Sequence, residues 1–548
     1  MAENTDAPRS ESPPKRSLDE LESPPSPEAK RVKVDESTEP GPSTATPPAS
    51  TEAQPKEVKQ KSKKRDAAGW AKSRRGKEKD GKNAGRRRGT RGEGEGRDDQ
   101  AGDAASKAPR LPKRQCALLI GFCGTGCAGM QIQPNVRTIE GVLFDALVRA
   151  GAVSQDNADD PVKVNLGRAA RTDAGVHAAG NVVSMKIITQ IPDVPDLVAR
   201  VNEILPPEIR LWGYVRVQNS FNARVSCDSR KYTYFFPSYL LIPPKPGSGM
   251  AKVFYDSSPT LWGETPAEAP HPFWADVANS TKEEDMQRKR QWRIGPEMME
   301  QLRNTAKKYE GTHNFHNFTV GRDFSDRSTQ RHMKKIEISD PAVYGETEWI
   351  SVMFHGQSFM LHQRKMMAAL VLSCRVGTPS QVIEELYGPR QVFIPKMPSL
   401  GLLLEHPIFE SYNRKVEGLS AKLSPTDADY RPPIDFDIHQ EPIAKFKQEQ
   451  IYDRMRSIED RGGVFDAWIR SVDAYTGRDL SYLNAKGVIP TAAVIKKGER
   501  RPLPFREKRR FDATDFSATG KIEDQEGEEE EEEEGTSLDK AKLVDMEG

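Results

Sequence analysis

The sequence has little of what secreted and membrane proteins are built from. It holds only five cysteines in 548 residues, an odd number at scattered positions, and no apolar run long enough to cross a membrane. Its start also lacks the apolar core of a signal peptide. These absences exclude a disulfide-stapled secreted domain and a transmembrane protein, and they predict a soluble protein of a reducing compartment without a membrane partner.

Aromatic residues make up only 7% of the chain and are almost missing from its first 110 residues. Residues 1–112 are rich in Pro, Ser, Glu, Lys and Gly, and the chain from about residue 500 onward is mostly charged. Such segments bury too little apolar surface to offset the chain entropy lost on folding. We therefore predict a disordered arm over 1–112, a disordered tail over 476–548, and a folded region between them.

The net charge of +1 conceals strong local imbalances. Residues 56–97 hold 17 Lys or Arg against 6 Asp or Glu, whereas residues 521–548 hold 3 Lys against 13 acidic residues. A basic arm favours contact with nucleic-acid phosphates, and an acidic tail can compete with nucleic acid or bind basic partners. Both segments could equally serve only as solubilising tails.

Two short basic clusters in the arm have the spacing of a bipartite nuclear localisation signal. They are Lys15-Arg16 and residues 30–33, and both lie in a segment predicted to be exposed. They predict recognition by the nuclear import machinery and a location in the nucleus.

Motifs for a metal or a nucleotide cofactor are also missing. Cys123 and Cys127 are four residues apart, which is not the C-x₂-C spacing of common zinc sites, and no second ligand pair follows. We therefore predict no cofactor and no metal, and we expect the cysteines to be buried structural thiols.

The region between the tails alternates predicted strands and helices. The apolar run from Cys116 to Phe122 predicts a buried strand, and apolar residues at helical spacing between Ile139 and Leu147 predict an amphipathic helix. Similar patterns recur after a Pro- and Gly-rich stretch near residue 245. This order is typical of an α+β fold.

We predict two pseudo-symmetric RRM/ferredoxin-like halves that form a central, mostly antiparallel sheet flanked by helices. The first half spans 113–240 and the second spans 293–415. Residues 241–292 are predicted to be an insertion or connection, and residues 416–475 a C-terminal helical extension.

One polar, glycine-containing segment, Gly167–Ala178, lies between two predicted strands, Val162–Leu166 and Asn181–Met185. It holds the carboxylate of Asp173 with Arg171 two residues away. A loop held between rigid elements is well suited to present an ionised carboxylate to a substrate. Taken alone, however, an Asp flanked by Arg is more often part of a salt-bridged loop than a catalyst.

Five blocks, in order along the chain, resemble the TruA family of pseudouridine synthases. They are residues 122–131 with their glycine loop, 167–178, 220–234, 311–319 and 358–366. The resemblance covers about residues 114–475, and the blocks, the basic arm and the C-terminal helices are most similar to eukaryotic, fungal-like nuclear tRNA pseudouridine synthases.

This resemblance implies that the protein isomerises uridine to pseudouridine in tRNA, and possible further substrates are small nuclear RNA and mRNA. It implies that Asp173 is the catalytic carboxylate and that Tyr232, Arg171 and Arg364 bind substrate. A cationic neighbour, Arg364 or Arg171, is expected to keep Asp173 ionised by lowering its pKa. His177 could act as a general base, but we expect it to hydrogen-bond the loop.

Bacterial members of the family pair as dimers. The long insertion and the C-terminal helices of this chain could occupy the pairing surface, so we predict a monomer.

The block around Arg364 departs from the family pattern, which reads H-Q-x-R-K. Here His362-Gln363-Arg364-Lys365 lacks one residue. On a helix, one deletion rotates all later side chains by about 100°. Either the start of the helix absorbs this shift or Arg364 is misplaced.

That departure supports an alternative function, a tRNA-binding or chaperone protein that keeps the fold but has lost turnover. A basic-tailed chromatin or ribosome-assembly factor is a third possibility, but it leaves the Asp173 loop unexplained.

Overall fold

The computed structural model describes residues 111–256, 271–275 and 280–512. Ten strands in these ranges form one sheet. In chain order they are β1 (Lys113–Phe122), β2 (Gly167–Arg168), β3 (His177–Ile188), β4 (Ile209–Arg216), β5 (Ser229–Pro237), β6 (Gly311–Asn314), β7 (Gln330–Ile338), β8 (Ala342–Tyr344), β9 (Thr347–Gly356) and β10 (Leu402–Ile408).

Strand β10 lies between the strands of the first part of the chain, β4, β1 and β3, and the other strands of the sheet path. The strand order is β4-β1-β3-β10-β5-β9-β7-β6, with β2 paired to β3 and β8 paired to β9. The β10–β3 pair is parallel, and the other pairs are antiparallel. Leu404 of β10 pairs with Ala178 on one side and with Tyr232 on the other. A single strand therefore separates the end of the Asp173 loop from Tyr232.

The helices lie before, between and after these strands. They are α1 (Ile139–Arg149), α2 (Leu197–Ile204), α3 (Gly249–Asp256), α4 (Lys282–Gln291), α5 (Pro296–Lys307), α6 (Lys365–Arg375), α7 (Gln381–Glu385), α8 (Glu410–Ser420), α9 (Gln440–Phe446), α10 (Asp453–Gly462) and α11 (Val464–Asp473). A π-helical turn over Lys447–Tyr452 connects α9 to α10.

Strand β1 shows why its sequence is a continuous apolar run. Successive side chains of a strand point to opposite faces of the sheet. Leu118 and Ile120 pack in the core that includes α1 and α2, whereas Leu119 packs with Tyr412 and Val416 of α8 on the other face. Helices cover both faces, which favours apolar residues at successive positions of the strand.

The predicted α+β fold with a central sheet flanked by helices is confirmed, and the one parallel pair makes the sheet mixed. The relation of the two halves by pseudo-symmetry stays a prediction. The predicted strand at Val162–Leu166 is wrong, because Pro161–Val164 form a 3₁₀ turn. Asp160 caps this turn by accepting from the N–H of Val162, and Asn165 ends it in the left-handed conformation at φ 57°.

The segment predicted as an insertion folds against the C-terminal helices. Thr281 and Glu284 form a capping box that starts α4. Lys289 of α4 then makes a buried ion pair with Asp466 of α11, with 2.7 Å between Nζ and Oδ1. The two segments that match no family block in the sequence are thus packed on each other.

The prediction of a disordered tail from residue 476 is wrong for residues 476–512. Several apolar side chains there are buried in the core that includes β5, β9 and α6, and Val494 forms a β-bridge with Val392. They are Leu480, Tyr482, Leu483, Ile489, Ala493 and Phe511. Because these residues are irregularly spaced, they show neither the helical nor the strand period by which buried segments are predicted from a sequence.

The basic arm, both basic clusters and the acidic run of 521–548 lie outside the described residues. Among the helices that are described, none combines the length and the apolar character needed to cross a bilayer.

Candidate active site

The Asp173 loop is anchored by the glycine loop that comes after β1. The N–H of Met130 donates to the Thr172 carbonyl at 3.1 Å, and the N–H of Gly175 donates to the Cys127 carbonyl at 3.3 Å. Gly129 has φ +85°, and a Cβ on it would lie 2.8 Å from the Thr172 oxygen. The two loops therefore approach too closely for a side chain at this position.

His177 holds the same pair of loops together. Its Nδ1 accepts from the backbone N–H of Gly124 at 3.1 Å, and the side chain is buried. His177 therefore makes a hydrogen bond as expected, but its partner lies in the glycine loop and not in the loop that carries Asp173. A Cβ on Gly124 would lie 2.1 Å from the Val176 carbonyl oxygen, so this contact also needs glycine.

Asp173 opens into a pocket that is partly open to solvent. The four residues predicted for the site, Asp173, Arg171, Tyr232 and Arg364, all line it. The remaining lining is mostly apolar and aromatic and includes Val176, Tyr234, Phe354, Phe359, Met360, Leu361, Met366, Met367 and Leu402. Residues far apart in sequence thus converge on one cavity.

Arg364 lines the pocket from the position just before a helix. Helix α6 begins at Lys365, and Arg364 is its N-cap residue. His362 adopts the left-handed conformation at φ 56° in the turn before the helix. The block that lacks one residue therefore lies at the turn before the helix, and the role of Arg364 stays a prediction.

Burial and neighbouring charges act on Asp173 in opposite directions. Burial raises the pKa of its carboxyl group, the positive charges of Arg364 and Lys396 lower it, and the negative charge of Asp512 raises it further. The net direction is upward, so the prediction of a lowered pKa is wrong. The reason is that loss of hydration outweighs the attraction of Arg364, whose guanidinium is also hydrogen-bonded to Asp512.

The Asp173 side chain remains 31% exposed, toward the pocket. A substrate that fills the pocket removes this water and strengthens every charge interaction of the carboxylate.

Tyr232 faces the pocket from β5. Its ring contacts the ring of Phe359 edge to face, with 4.7 Å between the centroids. Burial raises the pKa of the Tyr232 hydroxyl to about 12, so the phenol stays protonated at neutral pH. The site therefore combines one carboxylate with a neutral hydroxyl and an aromatic wall.

Sequence reasoning missed two residues near the carboxylate. The Nδ1 atom of His362 lies 3.5 Å from Oδ2 of Asp173. Burial, together with the charges of Arg364 and Lys396, holds the pKa of His362 well below its usual range, so the ring is neutral. His362 belongs to a recognised block and could have been found there, whereas no motif marks Asp512.

The cysteines take no part in this pocket. Four of the five are buried, and all five are free thiols. The predicted burial is confirmed for these four, Cys116, Cys123, Cys127 and Cys374, and their structural role stays a prediction. Within the described ranges, no cluster of three or more His, Cys, Asp or Glu side chains is arranged to hold a metal ion.

Comparison with known proteins assigns this arrangement to a class. A family model described as tRNA pseudouridine synthase matches residues 305–410, which include Arg364 and β10. The tRNA pseudouridine synthase 1 of Candida glabrata is 40% identical over 417 residues, covering 69% of this chain and 74% of that protein. The chain therefore belongs to the TruA family of tRNA pseudouridine synthases.

Two proteins of Saccharomyces cerevisiae are also similar. Its tRNA pseudouridine synthase 1 is 38% identical over 417 residues, covering 69% of this chain and 74% of that protein. Its tRNA pseudouridine(27/28) synthase is 36% identical over 381 residues, covering 65% of this chain and 98% of that protein.

Proposed function

We propose that this protein isomerises uridine to pseudouridine in tRNA, with Asp173 as the catalytic carboxylate. The observation that carries the proposal is that Asp173, Tyr232, Arg171 and Arg364 line one pocket in a chain of the TruA family. An assembled pocket and relatives named as synthases do not favour the alternative of a binding protein without turnover.

The reaction rearranges one nucleotide without adding or removing atoms. The N1–C1′ glycosidic bond breaks, the uracil turns, and a C5–C1′ bond forms, while one proton leaves C5 and one is gained at N1. Breaking the glycosidic bond places positive character on the ribose. An ionised carboxylate next to C1′ stabilises this charge, as the carboxylates of glycosidases do.

The lining of the pocket suits a uridine that has left the RNA stack. Extruding a base costs a few kcal/mol, and stacking on aromatic side chains recovers part of this energy. Tyr232 and Phe359 offer such rings, and the apolar walls limit escape of the free uracil during the rearrangement. Arg171, at the edge of the pocket, is suited to hold the displaced nucleotide through its phosphate or to fill the gap it leaves.

Activity is tested with unmodified tRNA transcripts incubated with the purified full-length chain. Pseudouridine is then mapped by a chemistry specific for that nucleoside. The proposal expects pseudouridine at defined uridines. Transcripts that bind at micromolar or lower concentration but gain no pseudouridine would instead establish the binding-only alternative.

The wider cellular role is part of the same proposal. Small nuclear RNA and mRNA are further candidate substrates, and the basic clusters at 15–16 and 30–33 support recognition by the import machinery and a nuclear location. Fusing residues 1–112 to a fluorescent protein tests this, and an even distribution between nucleus and cytoplasm would contradict it.

A monomer is proposed because the insertion and the C-terminal helices, which contact each other through the buried Lys289–Asp466 pair, would occupy the surface through which bacterial members pair. Light scattering of the purified chain at micromolar concentration tests it, and the mass of a dimer would contradict it.

A further inference from the structure

A buried arginine of β5, Arg230, lines the pocket of Asp173 beside Tyr232. Only 3% of this residue is exposed. Its guanidinium makes three hydrogen bonds, all of them to backbone carbonyl oxygens, and it forms no ion pair within the part of the chain that the structure describes. A buried charge without a counter-ion is costly, so the contacts of this side chain need an explanation beyond the filling of space.

The hydrogen bonds of Arg230 join two separate segments. Its Nε and Nη2 atoms donate to the Ala169 carbonyl at 3.2 and 2.7 Å, and its Nη1 atom donates to the Gln357 carbonyl at 3.1 Å. Ala169 lies four residues before Asp173. Gln357 lies five residues before His362, whose Nδ1 atom is 3.5 Å from the Asp173 carboxylate. One side chain therefore links the two segments that meet at the carboxylate.

The strands of the sheet do not pair these two segments with each other. Strand β3 follows the Asp173 loop and β9 leads into Gln357, but β10 and β5 lie between β3 and β9 in the sheet. The N–H of Ala169 donates to a carbonyl of β3 at 2.8 Å, and the N–H of Gln357 donates to a carbonyl of β7 at 3.0 Å. Each segment is thus bound to its own part of the sheet, and Arg230 connects the two.

We propose that Arg230 is a positioning residue that sets the distance between the Asp173 loop and the segment after Gln357. That segment supplies Phe359 and His362 to the pocket. A guanidinium is planar and its donors keep fixed directions, so two carbonyls bound to it are held at one separation. A misplacement of about 1 Å at a reacting centre can cost about 10²-fold in rate. The proposal rests on the proposed function, since it assumes that the isomerisation occurs at Asp173.

The test replaces Arg230 by Lys in the full-length chain. Lysine keeps the charge, but its ammonium is a point donor that cannot reproduce the rigid fork. The single-turnover rate is measured over a range of tRNA concentrations. We expect the rate at saturating tRNA to fall about 10- to 100-fold, because the pocket loses its alignment. The tRNA concentration that gives half the maximal rate should change by less than about 3-fold, because the buried charge is kept.

Two results would overturn the proposal. One is a folded Arg230→Lys variant whose rate at saturation stays within about twofold of the parent. The other is an effect confined to the half-saturating concentration, which would make Arg230 a residue that binds tRNA. Arg230→Gln is measured in the same way, so that the proposal stays testable if the buried ammonium of the lysine variant prevents folding. It should likewise lose rate at saturation, because one amide nitrogen cannot reproduce the fork.

The matched control is Arg375→Lys. Arg375 is also 3% exposed, and its Nε donates to the Ile242 carbonyl at 2.9 Å, but it is not one of the described residues that line the pocket. Both lysine variants should melt at a lower temperature than the parent, because each loses buried hydrogen bonds. Only Arg230→Lys should lose rate at saturation. Equal losses of rate, measured well below both melting temperatures, would assign the effect to general destabilisation and overturn the proposal.

Amide hydrogen exchange tests the link itself, without any reaction. In a folded Arg230 variant, the amides of residues 171–176 and of residues 358–363 should both exchange at least about 3-fold faster than in the parent, because both segments lose their common support. Helix α10 is the internal reference and should exchange as in the parent. Faster exchange in only one of the two segments, or in neither, would overturn the proposal.

Pseudouridine formation by the unsubstituted chain is measured in parallel. Faster exchange of both segments in the Arg230 variants, without any product from the unsubstituted chain, contradicts the proposed function alone. Product at the parental rate from folded Arg230 variants contradicts the positioning role alone.

Discussion

Arg364 donates to the carboxylate of Asp512, a residue of the C-terminal segment that sequence patterns place in a disordered tail. The Arg364 side chain is only 1% exposed, and its other terminal nitrogen donates to Ser399. Lys396 pairs with Asp512 at 3.2 Å and with Glu507 at 3.0 Å. Asp173 therefore competes with the carboxylates of this segment for the two cations that stabilise its ionised form.

This competition predicts a pH effect of Asp512→Asn. The negative charge of Asp512 disfavours ionisation of Asp173, so its removal should lower the pKa of Asp173. If the ionised carboxylate is the active form, the rate is lost as the pH falls through this pKa. In a plot of single-turnover rate against pH, the acidic limb should then move to lower pH, by up to about one unit.

Asp340→Asn is the control for this measurement, because the Asp340 side chain is 90% exposed. A limb that stays in place in Asp512→Asn, or moves to higher pH, would show that Asp512 does not act on Asp173.

Tyr232 should contribute more through its ring than through its hydroxyl. The phenol stays protonated at working pH because burial raises its pKa to about 12. Tyr232→Phe keeps the edge contact with Phe359 and should cost about 10-fold or less in the single-turnover rate, which corresponds to one neutral hydrogen bond. Tyr232→Ala removes the wall for the uracil and should cost at least ten times more. Equal losses in the two variants would assign the role to the hydroxyl instead.

His177 is predicted to act on stability rather than on the chemical step. Removing Nδ1 leaves the N–H of Gly124 buried without its acceptor, which costs about 1–3 kcal/mol. His177→Ala should therefore unfold at lower urea concentration, while His177→Asn, whose amide oxygen can accept from the same N–H, should lose less. The single-turnover rate of the folded fraction should stay within about tenfold of the parent. A larger loss of rate at unchanged stability would make His177 a catalytic base.

Much of the site could be predicted from the sequence because short local patterns of residue types mark it. Close contacts in the fold require particular residue types at these places. They require glycine at positions 124 and 129 and apolar residues along β1. The Asp173 loop is evident from its sequence alone, although one of its flanking predicted strands, Val162–Leu166, is a capped turn. Asp160 and Pro161 are residues that favour such a turn, but the alternating apolar residues after them favour a strand, and the strand was predicted.

The features that could not be predicted depend on long-range packing. No local pattern indicates that Asp512 reaches Arg364, which lies 148 residues earlier in the chain. The direction of the Asp173 pKa shift was also missed, since it depends on how much water the folded pocket removes and not on which cation is nearby in sequence. Irregularly spaced apolar residues such as Tyr482 and Ile489 give no periodic signal even though they are buried in the core.

The basic arm should strengthen binding without specificity. Residues 56–97 hold 17 Lys or Arg against 6 Asp or Glu, and such a segment releases counterions from RNA phosphates. Deleting residues 1–110 should reduce the slope of log K against log salt while the single-turnover rate at saturating tRNA is retained. A variant without residues 521–548 is a useful comparison, because it should bind tRNA equally or more tightly. Loss of the rate at saturation would place the arm in the active site.

The central claim, that the pocket around Asp173 is where the isomerisation occurs, is tested most directly by a pair of isosteric substitutions. Asp173→Asn and Asp159→Asn each remove one carboxylate, but Asp159 is 69% exposed and forms a surface ion pair with Lys163 four residues away. Pseudouridine formation in a tRNA transcript is measured under single-turnover conditions, together with tRNA binding and the melting temperature.

We predict that Asp173→Asn loses about 10²- to 10⁴-fold in rate, binds tRNA as the parent does and melts no lower, because it removes a carboxylate whose burial is unfavourable. Asp159→Asn should match the parent in all three measurements. A folded Asp173→Asn variant that forms pseudouridine within tenfold of the parental rate would contradict the account.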